Sequence, residues 1–388
     1  MASAHPFPDL LDLDSLLTPE QLQVQSSVRN FVQKELEPKI QNAWRTENFP
    51  EEAVPKIAAL GVLGGSLKGY GLPELDAVSY GIALKELERC DSGFRSFASV
   101  QSSLVMYPIF EFGTEAQKSE WLPKLGQGKA IGCFGLTESD GGSDPSAMRT
   151  TAEKKNGKWI LNGSKAWITN GNLAQVAIVW AKTTDGIRGF VVPTSSKGFT
   201  AKKMVGKISL RASVTSELYF DQVELPEDAI LPKSDGLKSA LKCLNQARYG
   251  ISWGVLGAAE ACFDEAVQFA KTRILFGVPL THKQMVQRKL ALMLSKITHG
   301  QLLALRLGQL KEAGKLTPAQ VSLAKQSNVE SSLEVARLSR DILGANGIMD
   351  EYKSMRHMCN LETVFTYEGT NDIHLLVLGK EITGVAAF

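Results

Sequence analysis

Three Asn-Gly pairs, Asn156-Gly157, Asn162-Gly163 and Asn170-Gly171, fall within 16 residues of one another. Asn-Gly supplies the two positive-φ positions of a tight hairpin turn. Between the pairs lie Trp159-Ile160-Leu161 and Ala166-Trp167-Ile168-Thr169, and β-rich runs continue at 176–180, 189–192 and 216–223. β-branched and aromatic runs punctuated this way read as strands. The middle of the chain, 133–233, is therefore expected to be an antiparallel β domain.

The flanks read as helices. Thr18-Pro19-Glu20-Gln21 is a capping box with proline at the first helical position. Val24, Val28, Phe31 and Val32 follow as one apolar stripe, and Pro38 is expected to close it. A second helix runs through residues 80–88, and the nearly uncharged stretch 96–112 reads as a buried helix. Beyond Pro232, Val286, Leu290, Met293 and Ile297 mark a helical face that Gly314 ends. Thr317-Pro318-Ala319-Gln320 opens another capped helix running toward Gly344. The 388 residues divide by roughly 150 per domain into two or three. The expected domains are an N-terminal helical domain at 1–132, the β domain at 133–233 and a C-terminal helical bundle at 234–388.

Charge and motifs narrow the function. With 43 Lys and Arg against 41 Asp and Glu, and no block of like charges, nucleic acid is not an expected partner. No apolar run approaches the roughly 18 residues of a membrane span. The five cysteines are scattered and unpaired in sequence, which suits a reducing compartment. The first 28 residues contain no Lys or Arg, unlike a secretory or mitochondrial leader. The histidines form no ligand cluster, so no metal is expected. There is no G-x-G-x-x-G, phosphate-binding loop, H-E-x-x-H or G-x-S-x-G motif.

Five weaker constellations remain. Glu138-Ser139-Asp140-Gly141-Gly142-Ser143-Asp144 reads either as a solvated loop or as a nest of amides for an anion or a ring cofactor. Trp167 and Thr169 fall on one side of a strand by alternation; they serve either core packing or a planar cofactor. Glu368, between Tyr367 and Gly369, is either an exposed carboxylate or a partly desolvated base. Arg95 stands at the edge of the apolar 96–112 stretch and needs an anion, internal or from a ligand. Arg273, before Phe276-Gly277, is a surface residue or a cofactor contact.

In this order the motifs resemble the acyl-CoA dehydrogenase family over essentially the full chain. The resemblance is carried by Cys133-Phe134-Gly135-Leu136-Thr137-Glu138, Gly142-Ser143-Asp144, Trp167-Ile168-Thr169-Asn170, residues 273–277, Leu343-Gly344-Ala345-Asn346-Gly347 and Tyr367-Glu368-Gly369-Thr370. Arg95-Ser96, Val100-Gln101-Ser102-Ser103-Leu104-Val105 and Ala247-Arg248-Tyr249-Gly250-Ile251 are similar to its glutaryl-CoA dehydrogenase branch. The chain departs from the usual pattern at Phe94, Ser139-Asp140, Ala345 and Asn371.

The resemblance implies a mostly α fold with a central β domain, a homotetramer and one FAD per chain. Phe134, Leu136, Thr137, Gly142, Ser143, Trp167, Ile168 and Thr169 would line the flavin. Arg273, Phe276, Gln284, Asp341, Gly344 and Ala345 would reach the FAD of a neighbouring subunit, with Thr370 and Asp372 on its adenosine and pyrophosphate side. Glu368 would be the general base. Arg95 would hold the distal carboxylate of glutaryl-CoA with Ser96 also contacting substrate, and Glu88 and Tyr367 would assist decarboxylation to crotonyl-CoA and CO2. Ser143, Arg248, Tyr249 and Gly369 would also contact substrate, Arg248 near the CoA phosphates. Electron-transfer flavoprotein would be the acceptor. The location would be cytoplasmic in a bacterium and the mitochondrial matrix for a mature eukaryotic chain. Other readings are a short-chain acyl-CoA dehydrogenase or oxidase, a non-decarboxylating glutaryl-CoA dehydrogenase, and a catalytically silent helical binding protein.

Overall fold

The computed structural model describes residues 8–387. The Thr18 box forms as expected: its hydroxyl accepts from the Gln21 amide while the Gln21 side chain accepts from the Thr18 amide. It opens α1 (Pro19–Phe31), but the chain does not stop at Pro38. A widened π turn at Val32–Leu36 leads directly into α2 (Glu37–Thr46), whose first turn contains Pro38. First-turn amides need no helical acceptor, so the proline is tolerated there. After α3 (Val54–Ala59), α4 (Ala77–Cys90) runs through the centre with almost every residue buried. The 96–112 stretch is buried but not one regular helix. α5 (Ser92–Ser99) passes through a π turn into α6 (Tyr107–Phe112), and α7 (Glu115–Gly126) follows.

The middle block contributes β1 (Gly132–Gly135), β2 (Thr151–Lys155), β3 (Lys158–Thr169), β4 (Val176–Thr183), β5 (Gly186–Pro193), β6 (Phe199–Lys203) and β7 (Thr215–Pro226). Strand order is β1-β4-β2-β3-β7-β6, with β5 also on β4. Most pairings are antiparallel, but β4 runs parallel to β1, with Gly132 opposite Val176, and to β2, with Thr151 opposite Lys182. Only one Asn-Gly pair makes a two-residue hairpin: Asn156 and Gly157, φ +51° and +75°, join β2 to β3. Asn162-Gly163 lies inside β3 at a bulge, and Asn170-Gly171 opens the turn before β4. A bulge uses the same positive-φ freedom to bend a strand without reversing it.

The helices return with α8 (Gly236–Thr272), a short ribbon of β8 (Ile274–Leu275) and β9 (Val278–Pro279), α9 (Gln284–Glu312), α10 (Pro318–Ile342), α11 (Lys353–Thr366) and α12 (Asn371–Thr383). The second capping box forms at Thr317. One apolar core joins α1, α4 and α5 to α8 and α9, including Val28, Leu84, Phe97 and Trp253. A second packs the α5–α7 region against the sheet around Trp180. A third lies between α8, α9, α10 and α11, and a fourth lies within the β domain. The crossing of α8 with α4 and α5 depends on Gly254. A Cβ there would come within 2.2 Å of Glu88 Oε2 and 2.9 Å of Arg95 Cγ.

Candidate active site

The loop at 367–370, between α11 and α12, carries Glu368 in a left-handed conformation, φ +53°. A non-glycine residue there costs about 1–3 kcal/mol unless its surroundings over-determine it. They do: Arg248 Nε donates to the Glu368 carbonyl at 2.7 Å. Lys325 Nζ donates to the carbonyls on either side, Tyr367 at 3.1 Å and Gly369 at 2.8 Å. Gly369 has φ +92°, and a Cβ on it would lie 3.0 Å from His374 Nε2 and 3.1 Å from Arg248 Nη2. Thr370 caps α12 by accepting from the Ile373 amide. Glu368 Oε2 is buried and has no hydrogen-bond partner among the described residues, so the exposed-carboxylate reading fails. Burial pushes the Glu368 carboxyl above its ordinary range; the charges of Arg95, Arg248 and Lys325 oppose that rise.

Arg95 reaches the same loop from α5. Asp91 caps α5 through the Gly93 amide at 2.8 Å and is itself gripped by Arg356 and Asn360 of α11. This fixes the start of the helix that aims Arg95. Arg95 Nε donates to Glu88 Oε2 at 2.5 Å, Ser92 Oγ donates to Glu88 Oε1 at 2.7 Å, and Arg95 Nη2 donates to the Tyr367 hydroxyl. Arg95 and Glu88 are both 0% exposed, so Glu88 is not a helix-surface carboxylate. Arg95 has the internal partner that the ion-pair reading required, but its third nitrogen, Nη1, is buried without one among the described residues. Burial pushes the Tyr367 hydroxyl up to about 12 despite the Arg95 charge, so it stays protonated. Ser96 is buried beside this pair in sequence. Ser99, one turn beyond Arg95, also presents a buried, unpartnered hydroxyl.

Two further residues were invisible as site residues in the sequence, Ser99 and Lys325. For Lys325 a signal existed. It lies four residues from both Val321 and Val329, which are buried on α10. A lysine on an apolar stripe needs buried acceptors.

The β domain supplies a different surface. Glu138 accepts from the Arg149 amide at 2.6 Å, the Thr150 amide at 3.0 Å and Lys165 Nζ at 2.8 Å. Burial alone would raise its carboxyl, but these donors outweigh that and hold it at about 2. Glu138 thus ties the root of a loop on which Gly142 and Ser143 stand exposed. Thr137 is half-buried, while Phe134 and Leu136 are buried, the Phe134 ring 6.2 Å from that of Trp180. Trp167 is 61% exposed with φ +62°, which rules out core packing. Its conformation coincides with a register shift between Lys165 and Ile168, so simple alternation does not hold. Even so, buried Ile168 separates Trp167 from half-buried Thr169. The Ala166 amide donates to the Thr137 carbonyl at 2.9 Å, which ties the strand of Trp167 to the root of the glycine loop, and an exposed indole there suits a flat ring system.

The remaining expected positions are spread over the helical surface. Arg273, Phe276, Gln284, Gly344, Ala345 and Asp372 are exposed, Phe276 at 93% with Lys283 over its ring. Asp341 is exposed and pairs with Lys289. Tyr249 requires a correction. Its side chain is fully buried and its hydroxyl donates to the Ala77 carbonyl at 2.6 Å, so it ties α8 to α4 and does not face a ligand. Arg248, expected near CoA phosphates, has its Nε committed to the Glu368 carbonyl.

Residues 18–129, 133–223 and 234–383 match the N-terminal, middle and C-terminal domains of acyl-CoA dehydrogenases. A glutaryl-CoA dehydrogenase from Mycobacterium smegmatis, solved in complex with FADH2, is 51% identical, covers 98% of each chain and superposes with a TM-score of 0.97. A glutaryl-CoA dehydrogenase in complex with glutaryl-CoA is 33% identical over 95% of this chain and 96% of that one, TM-score 0.91. The human mitochondrial short-chain specific acyl-CoA dehydrogenase is 36% identical over 91% of this chain and 88% of its own.

Proposed function

The chain belongs to the acyl-CoA dehydrogenase family, and within it we propose that the protein oxidises glutaryl-CoA and releases CO2 to give crotonyl-CoA. The observation that carries this is Arg95 Nη1, a buried guanidinium nitrogen without a partner on the helix that faces Glu368. A short monocarboxylic acyl chain would leave it unsatisfied; a distal carboxylate gives it a charge-assisted hydrogen bond.

The cofactor is FAD, and the residues present fit it: an exposed indole at Trp167, the Thr169 hydroxyl and the open Gly142-Ser143 loop. When bound, FAD supplies the acceptor for the β-hydrogen and its electron pair. Glu368 takes the α-proton. Its burial keeps the carboxylate basic enough for a weak C–H acid, and the Arg248 and Lys325 clamps hold it in place. Arg95 holds the distal carboxylate until its C–C bond breaks. That electron pair then enters the conjugated thioester and is quenched by a proton, for which the Glu368 carboxylic acid is the donor at hand. Glu88 keeps Arg95 aligned and Tyr367 shapes the pocket. The reading includes a homotetramer with domains at 1–132, 133–233 and 234–388, whose Arg273, Gln284 and Asp341 regions meet a neighbouring subunit's FAD. It also includes electron-transfer flavoprotein as acceptor, and a cytoplasmic or mitochondrial-matrix location according to source.

The test is the ratio of kcat/KM for glutaryl-CoA over butyryl-CoA. The expected ratio favours glutaryl-CoA by at least about tenfold, the discrimination of one modest buried contact. A preference for butyryl-CoA moves the chain to the short-chain branch.

A further inference from the structure

Lys325 enters the site from α10. Its stem lies on the buried face of the helix, between Val321 and Val329. Two of its three donors are used on the carbonyls of Tyr367 and Gly369, which bracket Glu368. Among the described residues, no other side chain donates to both the Tyr367 and the Gly369 carbonyls. The charged and titratable groups facing it come from four other elements. They are Glu368 and Tyr367 on the loop, Arg248 on α8, Arg95 on α5 and His374 on α12. Burial holds His374 neutral, at about 3. Glu368 faces Lys325, Arg95 and Arg248, with the Tyr367 and Tyr80 hydroxyls nearby.

We propose that Lys325 is a positioning residue for Glu368: its ammonium clamps the two flanking carbonyls, fixing the left-handed Glu368 backbone, and its charge sets the pH range over which the carboxylate is available. The inference rests on Glu368 being the base. Burial lowers Lys325 to about 7, aided by Arg248 and Arg95. Lys325 is therefore charged below neutrality, and burial moves the Glu368 carboxyl upward from its ordinary value, toward the upper side of that range. A neighbouring cation favours the ionised carboxylate, so removing it must raise the pH at which Glu368 protonates.

The experiment compares Lys325→Gln, which keeps a donor without the charge, with Lys325→Arg, which keeps the charge. Both are studied in the FAD-loaded enzyme. The pH profile of flavin reduction by glutaryl-CoA is read together with the infrared band of the protonated Glu368 carboxyl, assigned by its loss in Glu368→Gln. In Lys325→Gln the acid limb and the band are expected to move up together by roughly one pH unit, with reduction slowed per bound flavin. In Lys325→Arg both stay near their original pH. A limb and band unmoved in Lys325→Gln, or moved as far in Lys325→Arg, overturn the proposal. Should Lys325→Gln not fold, Lys325→Arg decides alone: an unmoved band supports the proposal and an upward move contradicts it. Glu368→Gln separates the two readings. Near-normal reduction in that variant removes the base assignment itself, whereas its loss beside unshifted Lys325 variants removes only the role of Lys325.

Discussion

Replacing Arg95 with methionine separates what this side chain does for the fold from what it does for the substrate. Arg95 and Glu88 form a 2.5 Å ion pair in which both side chains are 0% exposed. Arg95→Met strands the Glu88 carboxylate, with only Ser92 Oγ left to donate to it. Breaking a buried pair in this way costs roughly 3–5 kcal/mol of stability. Adding Glu88→Gln removes the stranded charge, so the double variant should recover most of that loss. It cannot recover the partner of the distal carboxylate. An unpaired buried carboxylate carries a penalty of the same size, reduced where water enters, so kcat/KM for glutaryl-CoA should fall by roughly 10²–10³-fold in the double variant. Butyryl-CoA has no such group and should lose less than about tenfold per bound flavin. The assay is anaerobic flavin bleaching with each substrate, alongside chemical denaturation of both variants. Equal losses on the two substrates in the stable double variant would remove Arg95 from substrate selection.

Glu368→Gln should retain flavin but slow its reduction by at least about 10²-fold, the lower end for a positioned base; stopped-flow bleaching measures it. The base works only when ionised and burial raises its pKa, so reduction by the unmodified protein should fall on the acid side at a pH above the ordinary glutamate value of 4.5. Gly369→Ala forces a side chain into φ +92° against His374 and Arg248, costing about 1–3 kcal/mol in denaturation and disturbing Glu368. Glu138→Gln leaves buried Lys165 without its anion, and the melting temperature should drop. Glu138 is held at about 2 when folded against an ordinary 4.5, so its contribution is complete above 4.5 and disappears as the pH falls toward 2. Acid titration should show the variant and the unmodified protein converging over that window.

Local chemistry made much of the fold legible. The Thr18 and Thr317 boxes depend on residues three apart, and both form. The change from helical to alternating patterns located the β block. Signals whose outcome depends on distant partners were misread. One Asn-Gly pair of three makes a two-residue hairpin, because strand pairing decides whether positive φ reverses the chain or bulges it. Pro38 does not end a helix, because a π turn precedes it and a new helix begins. The site was legible where a motif was contiguous, as at Tyr367-Glu368-Gly369. It was not legible where burial assigns the role. Glu88 looks the same in sequence on a surface or under α8, Tyr249 binds the Ala77 carbonyl, Ser99 is one serine among several on its helix, and Lys325 is marked only by its place on the apolar stripe of Val321 and Val329.

A single anaerobic turnover tests the central claim most directly. The FAD-loaded protein is mixed with one equivalent of glutaryl-CoA, flavin absorbance is followed, and the acyl-CoA products are weighed by mass spectrometry. The expected result is bleaching of the flavin with crotonyl-CoA and CO2 formed in step with it. Flavin that stays oxidised with glutaryl-CoA yet bleaches with butyryl-CoA would contradict the substrate assignment, and glutaconyl-CoA accumulating without crotonyl-CoA would contradict the decarboxylation.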